Sequence, residues 1–167
     1  MIITIIILAG VLSLTFILAK DAPWFPTRKN DVIRFLKLVD IKQGQKMYDL
    51  GCGDGRLVCA AANAGANAQG IELSLLPFIL ASIRKVFSKN KSRIKFLYKN
   101  IWATNISDAD VVYVWLMPAA NPKLKQKFES ELRKGAKVVS YVWPIEGWQP
   151  VKVDEIRNRC KLYLYQI

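Results

Sequence analysis

The sequence predicts an α/β fold: a mostly parallel seven-stranded sheet that ends in an antiparallel closing hairpin, preceded by one transmembrane helix. Three observations predict it. Apolar runs of strand length alternate with apolar patterns of helical period from residue 28 onward, the signature of a parallel sheet covered by helices. A glycine-rich loop, Gly51-Cys52-Gly53-Asp54-Gly55, joins the first of these strands to the helix after it. Residues 2–19 form an 18-residue run without a single charge.

Taken in order, 2–19 is about long enough for a tilted helix to cross a hydrocarbon core of roughly 30 Å. It lacks the basic start of a cleaved signal peptide, and Ile17-Leu18-Ala19 is a poor cleavage site. Lys20, Arg28 and Lys29 follow the run and no basic residue precedes it, which predicts a single-pass protein with its domain on the cytoplasmic side. That membrane would be a prokaryotic plasma membrane or an organelle inner membrane. Residues 21–28 read as an extended linker, because Pro23 and Pro26 hold the residues before them out of the helical region. Trp24 and Phe25 either anchor at the membrane interface or fold over the active site. The domain is 29–167.

Within it, Val32, Phe35, Leu36 and Val39 recur at helical spacing over 28–39, with Thr27 or Asn30 as N-cap. Residues 46–50 are a short strand feeding the glycine loop, 57–64 a small-residue helix, and 68–73 a second strand ending near Glu72. A helix over 75–87 carries Leu76, Ile79, Ile83 and Val86 on one face. Residues 93–98 are a third strand. The apolar run 110–116 is a central strand buried on both faces. A helix over 122–133 with Gly135 as its C-cap, a strand over 137–142, and a pair over 151–154 and 161–166 complete the chain.

The chain has 167 residues, 25 Lys+Arg against 13 Asp+Glu, and a formal net charge of +12. All of that charge lies after residue 19, so the folded part predicts attraction to an anionic surface. Three cysteines form no even framework and predict reduced thiols. With no histidine, His-ligated metal sites and a His-based triad are excluded, and no metal is expected.

The loop is not a dinucleotide fingerprint, because Arg56 stands where a third spaced glycine would be needed, and no Gly-Lys-Ser/Thr follows to make a phosphate loop. Asp49 and Asp54 give it an acidic lining, which suits a cationic ligand better than a pyrophosphate. It resembles motif I of the class I methyltransferases, which bind S-adenosylmethionine. Glu72, at the end of the next strand, stands where an acid accepts bonds from ribose hydroxyls. Asn100 either reads an adenine edge or sits in a turn. Arg56 either reaches a carboxylate of the ligand or is a solvated first-turn residue. The end of the fourth strand reads Trp115-Leu116-Met117-Pro118, not the Asn/Asp-Pro-Pro-Tyr/Phe of many amine and base methylating enzymes. An apolar, aromatic turn suits the stem of a lysine, and Trp115 would stabilise a methylated ammonium through cation–π contact. Trp115 as plain core stands beside that reading. Trp143 and Trp148 either complete the pocket or pack internally. No residue stands out as a base for the acceptor.

Beyond motif I, the chain resembles the FAM173 group of lysine methyltransferases. The resemblance is carried by Pro23-Trp24-Phe25-Pro26-Thr27, Tyr48-Asp49-Leu50-Gly51-Cys52-Gly53-Asp54-Gly55-Arg56, Gly70-Ile71-Glu72, Asp110-Val111-Val112, Leu116-Met117-Pro118 and Gly135-Ala136-Lys137. It covers nearly the whole chain after residue 20. It implies a Rossmann-like class I methyltransferase with S-adenosyl-L-methionine as cofactor, tethered to a membrane and acting on lysine in a protein, membrane proteins included. Carried over, Asp49, Gly51, Gly53 and Glu72 hold the cofactor; by their own positions Asp54 and Asn100 are expected to join them in holding it, and Trp115 and Pro118 to face the acceptor. Trp115 stands where the group has Tyr.

Two other functions compete. A methyltransferase for a lipid or other hydrophobic small molecule would use the same anchor and aromatic pocket. A nucleic-acid-binding module would use the basic run 85–95, but Phe87 is the one aromatic interleaved there, so no nucleic-acid partner is expected.

Overall fold

The computed structural model describes residues 26–167, together with Thr4. The spacing of Val32, Phe35 and Val39 puts all three on one buried face of α1 (Lys29–Val39). Arg28 is its N-cap and no side chain caps it, contrary to the expectation for Thr27 or Asn30. Thr27 is instead buried and hydrogen-bonded to the Tyr113 hydroxyl at 3.1 Å. The next elements are β1 (Lys46–Leu50), α2 (Arg56–Asn63), β2 (Asn67–Glu72), α3 (Leu75–Val86), β3 (Ile94–Tyr98), β4 (Val111–Val114), α4 (Asn121–Glu131), β5 (Lys137–Tyr141), β6 (Lys152–Asp154) and β7 (Leu162–Gln166).

The strands form one sheet in the order β3-β2-β1-β4-β5-β7-β6. The first five are parallel to one another, while β7 runs antiparallel to both β5 and β6. The order reverses between β1 and β4, the switch point where open α/β sheets bind ligands beyond the strand ends. Register there pairs Asp49 with Gly70 on one side and Tyr113 on the other. Because side chains alternate along a strand, that row points to the face covered by α1 and α2. Phe35, Met47, Leu57, Tyr113, Tyr141 and Leu162 belong to the core on this face, and Leu50, Val112, Val114, Leu124, Phe128 and Tyr165 to the core on the other.

β4 is shorter than the apolar run 110–116 suggests. Its last ladder partners are Leu50 of β1 and Ser140 of β5. Beyond Leu50 the neighbouring chain has already turned into the glycine loop, so Trp115, Leu116 and Met117 leave the sheet and become free to line a cavity. α4 likewise stops at Glu131, with Leu132 extended at ψ 140°, and Gly135 lies in the turn beyond it rather than at a helix cap. In α3 the residues that meet the sheet are small: Pro77 and Ala81 are buried, whereas Leu76, Ile79, Ile83 and Val86 are exposed.

Two glycines in the motif are demanded by packing. A Cβ on Gly55 would overlap the Phe96 ring and touch Ala81, and its φ is +71°. A Cβ on Gly70 would stand 2.6 Å from Cys52 Sγ and 2.7 Å from the Phe96 ring.

The single-pass expectation is corrected: among the described residues no helix is long and apolar enough to cross a membrane. The longest, α3, has 12 residues, about 18 Å at the α-helical rise, well short of a hydrocarbon core of roughly 30 Å. The run 2–19 on which the expectation rested lies, Thr4 apart, outside the described residues, as do Trp24 and Phe25.

Gly70→Ala is expected to destabilise the protein by about 1–3 kcal/mol through overpacking against Phe96 and Cys52. The measurement is a chemical unfolding curve, and Phe96→Leu in the same chain should recover part of the loss.

Candidate functional site

A cavity of about 430 Å³ opens at the carboxyl ends of β1, β2 and β4. Its size falls within the roughly 300–1,000 Å³ of small-molecule and cofactor sites. The glycine loop forms its floor. Gly51, Gly53 and Gly55 have φ of +86°, +54° and +71°, so the loop turns where residues with a Cβ would be strained.

Three carboxylates line it, each in a different state. Asp49 is buried at the end of β1, and among the described residues no donor reaches its carboxylate. Burial first, then the charges of Glu72 and Asp54, push its pKa well above the usual carboxylate value. Glu72 is half-buried. Its Oε2 accepts from Gly53 N at 2.9 Å, and its Oε1 from Leu73 N at 2.9 Å and Ser74 N at 2.7 Å. Three of about four acceptor positions of the carboxylate are thereby used within the protein. Asp54 is buried and gripped by two arginines: Arg56 Nη2 and Arg84 Nη2 both lie 2.7 Å from Oδ2. Burial opposes its ionisation, but the Arg56 hydrogen bonds and the two guanidinium charges outweigh that and lower its pKa.

Arg56 lines the cavity, and its guanidinium is paired within the protein. Its Nε and Nη2 hold Asp54, and its Nη1 donates to the Thr27 carbonyl at 3.1 Å. The Pro26-Thr27 segment is thus strapped across the glycine loop, and both residues line the cavity. Asn100 also lines it. Its Oδ1 accepts from Trp102 N at 3.0 Å and caps the short helical turn 101–103, so the turn reading describes that oxygen.

The wall beside β4 is apolar and aromatic: Tyr113, Trp115, Leu116, Met117, Val142 and Trp143. Trp115 meets Tyr141 edge-on with centroids 4.8 Å apart. Burial pushes the Tyr113 phenol well up, so it stays protonated and donates or accepts a hydrogen bond rather than acting as a base. Pro118, expected at the acceptor, is exposed outside the lining, and Met117 takes the wall position. Trp148 stacks on Tyr165 and Phe128 and donates to Glu129, away from the cavity. Trp143 is in the wall and 41 % exposed. It follows Val142, whose φ of +73° is a strained conformation for a β-branched residue, worth about 1–3 kcal/mol.

Several lining residues are not singled out as site residues by the sequence. Thr27, although part of the resemblance segment 23–27, reads as a helix cap, and Tyr113 as core. Leu73, Pro77, Ile101 and Trp102, which wall the end near Glu72, could have been noticed only as apolar residues placed directly after strand ends.

Residues 49–152 match the ANTKMT methyltransferase domain. The chain belongs to the ANTKMT methyltransferase domain family. The protein-lysine N-methyltransferase of Saccharolobus islandicus (strain REY15A) is 36% identical over 152 residues, covering 87% of this chain and 93% of that one. The adenine nucleotide translocase lysine N-methyltransferase of Mus musculus is 34% identical over 137 residues, covering 81% of this chain. The match spans 59% of the mouse protein's length, less than two thirds. Among solved structures, the RNA methyltransferase from Salinibacter ruber in complex with S-adenosyl-L-homocysteine superposes with a TM-score of 0.82 at 31% identity, covering 86% of this chain and 94% of that one.

The methyltransferase domain has the Rossmann-like fold of its class and uses S-adenosylmethionine. The residues present fit that cofactor. Asp49 is a buried carboxylate without a described donor, beside two further acids, and a sulfonium or ammonium relieves their mutual repulsion. The apolar slot of Leu73, Pro77 and Ile101 suits a planar base.

Asp49 yields a prediction with a definite sign. Its folded pKa lies above the unfolded value near 3.8, so the stability it contributes is full below that value and is lost as pH rises through the folded pKa. Above its folded pKa the ionised group is a cost to the ligand-free protein. Asp49→Asn should therefore raise the thermal midpoint without cofactor. The same change should weaken S-adenosylmethionine binding in calorimetry by roughly ten- to hundred-fold, the worth of a charge-assisted hydrogen bond. Wild-type affinity should fall as pH is lowered through the Asp49 titration, and the Asn variant should show a flatter profile.

Proposed function

We propose that this methyltransferase acts on the side-chain amine of lysine in a protein. S-adenosylmethionine supplies an electrophilic methyl group on a sulfonium. In this reading Asp49 takes the cationic amino-acid end, Gly51 and Gly53 let the backbone approach it, and Glu72 offers its remaining acceptor position to the ribose. Asn100 borders the base, and Asp54 keeps the loop in shape through its two arginines. Trp115 faces the acceptor stem, with Pro118 setting the turn that carries Met117 into the wall. The catalytic unit is 29–167, to which Thr27 of the linker 21–28 adds its side chain; residues 1–20 precede it.

The observation that carries the reading is the aromatic, apolar wall beside acidic residues. An alkylammonium finds negative charge within the cavity, and its stem finds Trp115, Leu116 and Met117. Both relatives named above are lysine methyltransferases, which supports the same acceptor. Desolvation in such a pocket lowers the pKa of an amine, and the acceptor proton leaves to solvent.

One observation favours a second reading. The Salinibacter ruber protein is named an RNA methyltransferase, and here Lys89, Lys91, Lys95 and Lys99 are exposed on one stretch of chain together with Phe87 and Tyr98. Basic residues beside exposed aromatics suit single-stranded RNA.

The test is transfer of tritium from S-adenosylmethionine into an extract of the source cell, separated into protein, RNA and lipid. Label in a protein band, located on lysine by mass spectrometry and abolished by Glu72→Ala, is the expected result. Label confined to RNA, or to the lipid fraction, would replace the proposal with the corresponding alternative.

A further inference from the structure

The turn after β5 holds an indole at the cavity rim by means that the fold does not otherwise require. Four hydrogen bonds pin the turn. Val142 N donates to Lys161 O at 2.9 Å, and Ser140 Oγ to Trp143 O at 2.6 Å. Asn121 Nδ2 donates to Pro144 O at 2.8 Å, and Ile145 N to Tyr165 Oη at 2.9 Å. Ser140, Asn121, Ile145 and Tyr165 are themselves buried, so the turn is clamped to the core at four points. That clamp is what keeps Val142 at φ +73°. Strain of this kind persists only where surroundings over-determine it, and it clusters at functional sites.

The held side chain is not packed as a structural tryptophan. Trp148, five residues on, has two ring partners and a hydrogen bond from its indole. Trp115 meets Tyr141. Among the described residues neither a ring nor a cation stacks on Trp143, although a Lys123–Trp102 contact shows that such pairs form here. Trp143 thus presents an open π-face at the rim of a cavity whose interior is acidic.

An open indole face beside carboxylates attracts a cation, and most strongly one that water solvates poorly. Each methyl added to an ammonium replaces an N–H that water would bind, so aromatic faces favour methylated over plain ammonium groups. We propose that Trp143 is a specificity-determining residue of the acceptor channel that selects the methylated lysine ammonium, and that the clamped Val142 turn exists to aim it. This rests on the lysine reading above. At each transfer the neutral amine nitrogen forms a bond to the methyl carbon, the sulfur–carbon bond breaks, a thioether leaves, and a proton goes to solvent. Between transfers Trp143 holds the partly methylated ammonium while the cofactor exchanges, which favours products with more than one methyl.

The test uses the full chain saturated with S-adenosylhomocysteine and titrated, by calorimetry or NMR, with Nα-acetyl-lysine N-methylamide and its Nε-trimethyl form. Wild type is expected to favour the trimethyl probe by roughly two- to thirty-fold, the span of a cation–π contact between exposed and desolvated limits. Trp143→Leu keeps apolar bulk without a π-face and should abolish the preference. Trp143→Phe should retain part of it, and circular dichroism checks that both variants fold. A merely structural Trp143 would be rescued by Leu as well as by Phe. Equal binding of the two probes by wild type, a preference that survives Trp143→Leu, or binding of neither probe would each overturn the inference. The lysine reading stands or falls separately, on whether label enters a protein lysine in the experiment above.

Discussion

The site depends on one carboxylate held by two arginines. Asp54 lies at the crest of the glycine loop, and its clamp joins three parts of the chain that are far apart in sequence. Arg56 reaches from the first turn of α2 and continues to the Thr27 carbonyl, so the segment before α1 is drawn over the cavity. Arg84 reaches from α3 to both the side chain and the carbonyl of Asp54. Removing either partner from such a part-buried network leaves charge uncompensated, which costs more than the pair contributes when intact. The loop keeps its left-handed glycines in place because this clamp fixes its far end while Glu72 fixes Gly53.

The costs in the molecule gather around the same cavity. Asp49 is a buried carboxylate next to two others, and Val142 occupies a conformation that β-branched residues avoid. Both would be selected against in a protein built only to be stable. Away from the cavity, buried charged groups are paired: Asp31 accepts from Arg34 and from the Tyr141 hydroxyl, and Lys127 meets Glu131 and the Thr104 carbonyl. The contrast separates residues that hold the fold from residues poised for a ligand, since a cation supplies what Asp49 lacks.

Much of the architecture was legible because its signals are local. Strand and helix periods, the glycine loop and the acid after the second strand all lie within a few residues of what they define. The errors share one cause, long-range contact. Thr27 reads as a helix cap, yet its hydroxyl is taken by Tyr113, 86 residues away in sequence. The double clamp on Asp54 goes unread, because nothing near Arg56 in the chain reveals Arg84 on the other side of Asp54. Residues 110–116 read as one long strand, and only the departure of β1 at Gly51 explains why pairing stops at Val114. Pro118 and Trp148 looked like pocket residues by proximity to others that are, but each is turned away by the element that carries it.

The sequence by itself determined the α/β class and the loop that meets a cationic ligand, because a close backbone approach requires glycine at set positions and a cation requires acids nearby; the cofactor's identity came through the resemblance of that loop to motif I. Only the tertiary structure decided which acid is free. Asp49, Asp54 and Glu72 are alike in sequence. They differ because one faces a cavity with no donor to it among the described residues, one is clamped by guanidinium groups, and one is occupied by backbone amides. It also decided which tryptophans line the cavity, since burial and orientation follow from packing against elements that the local sequence does not contain.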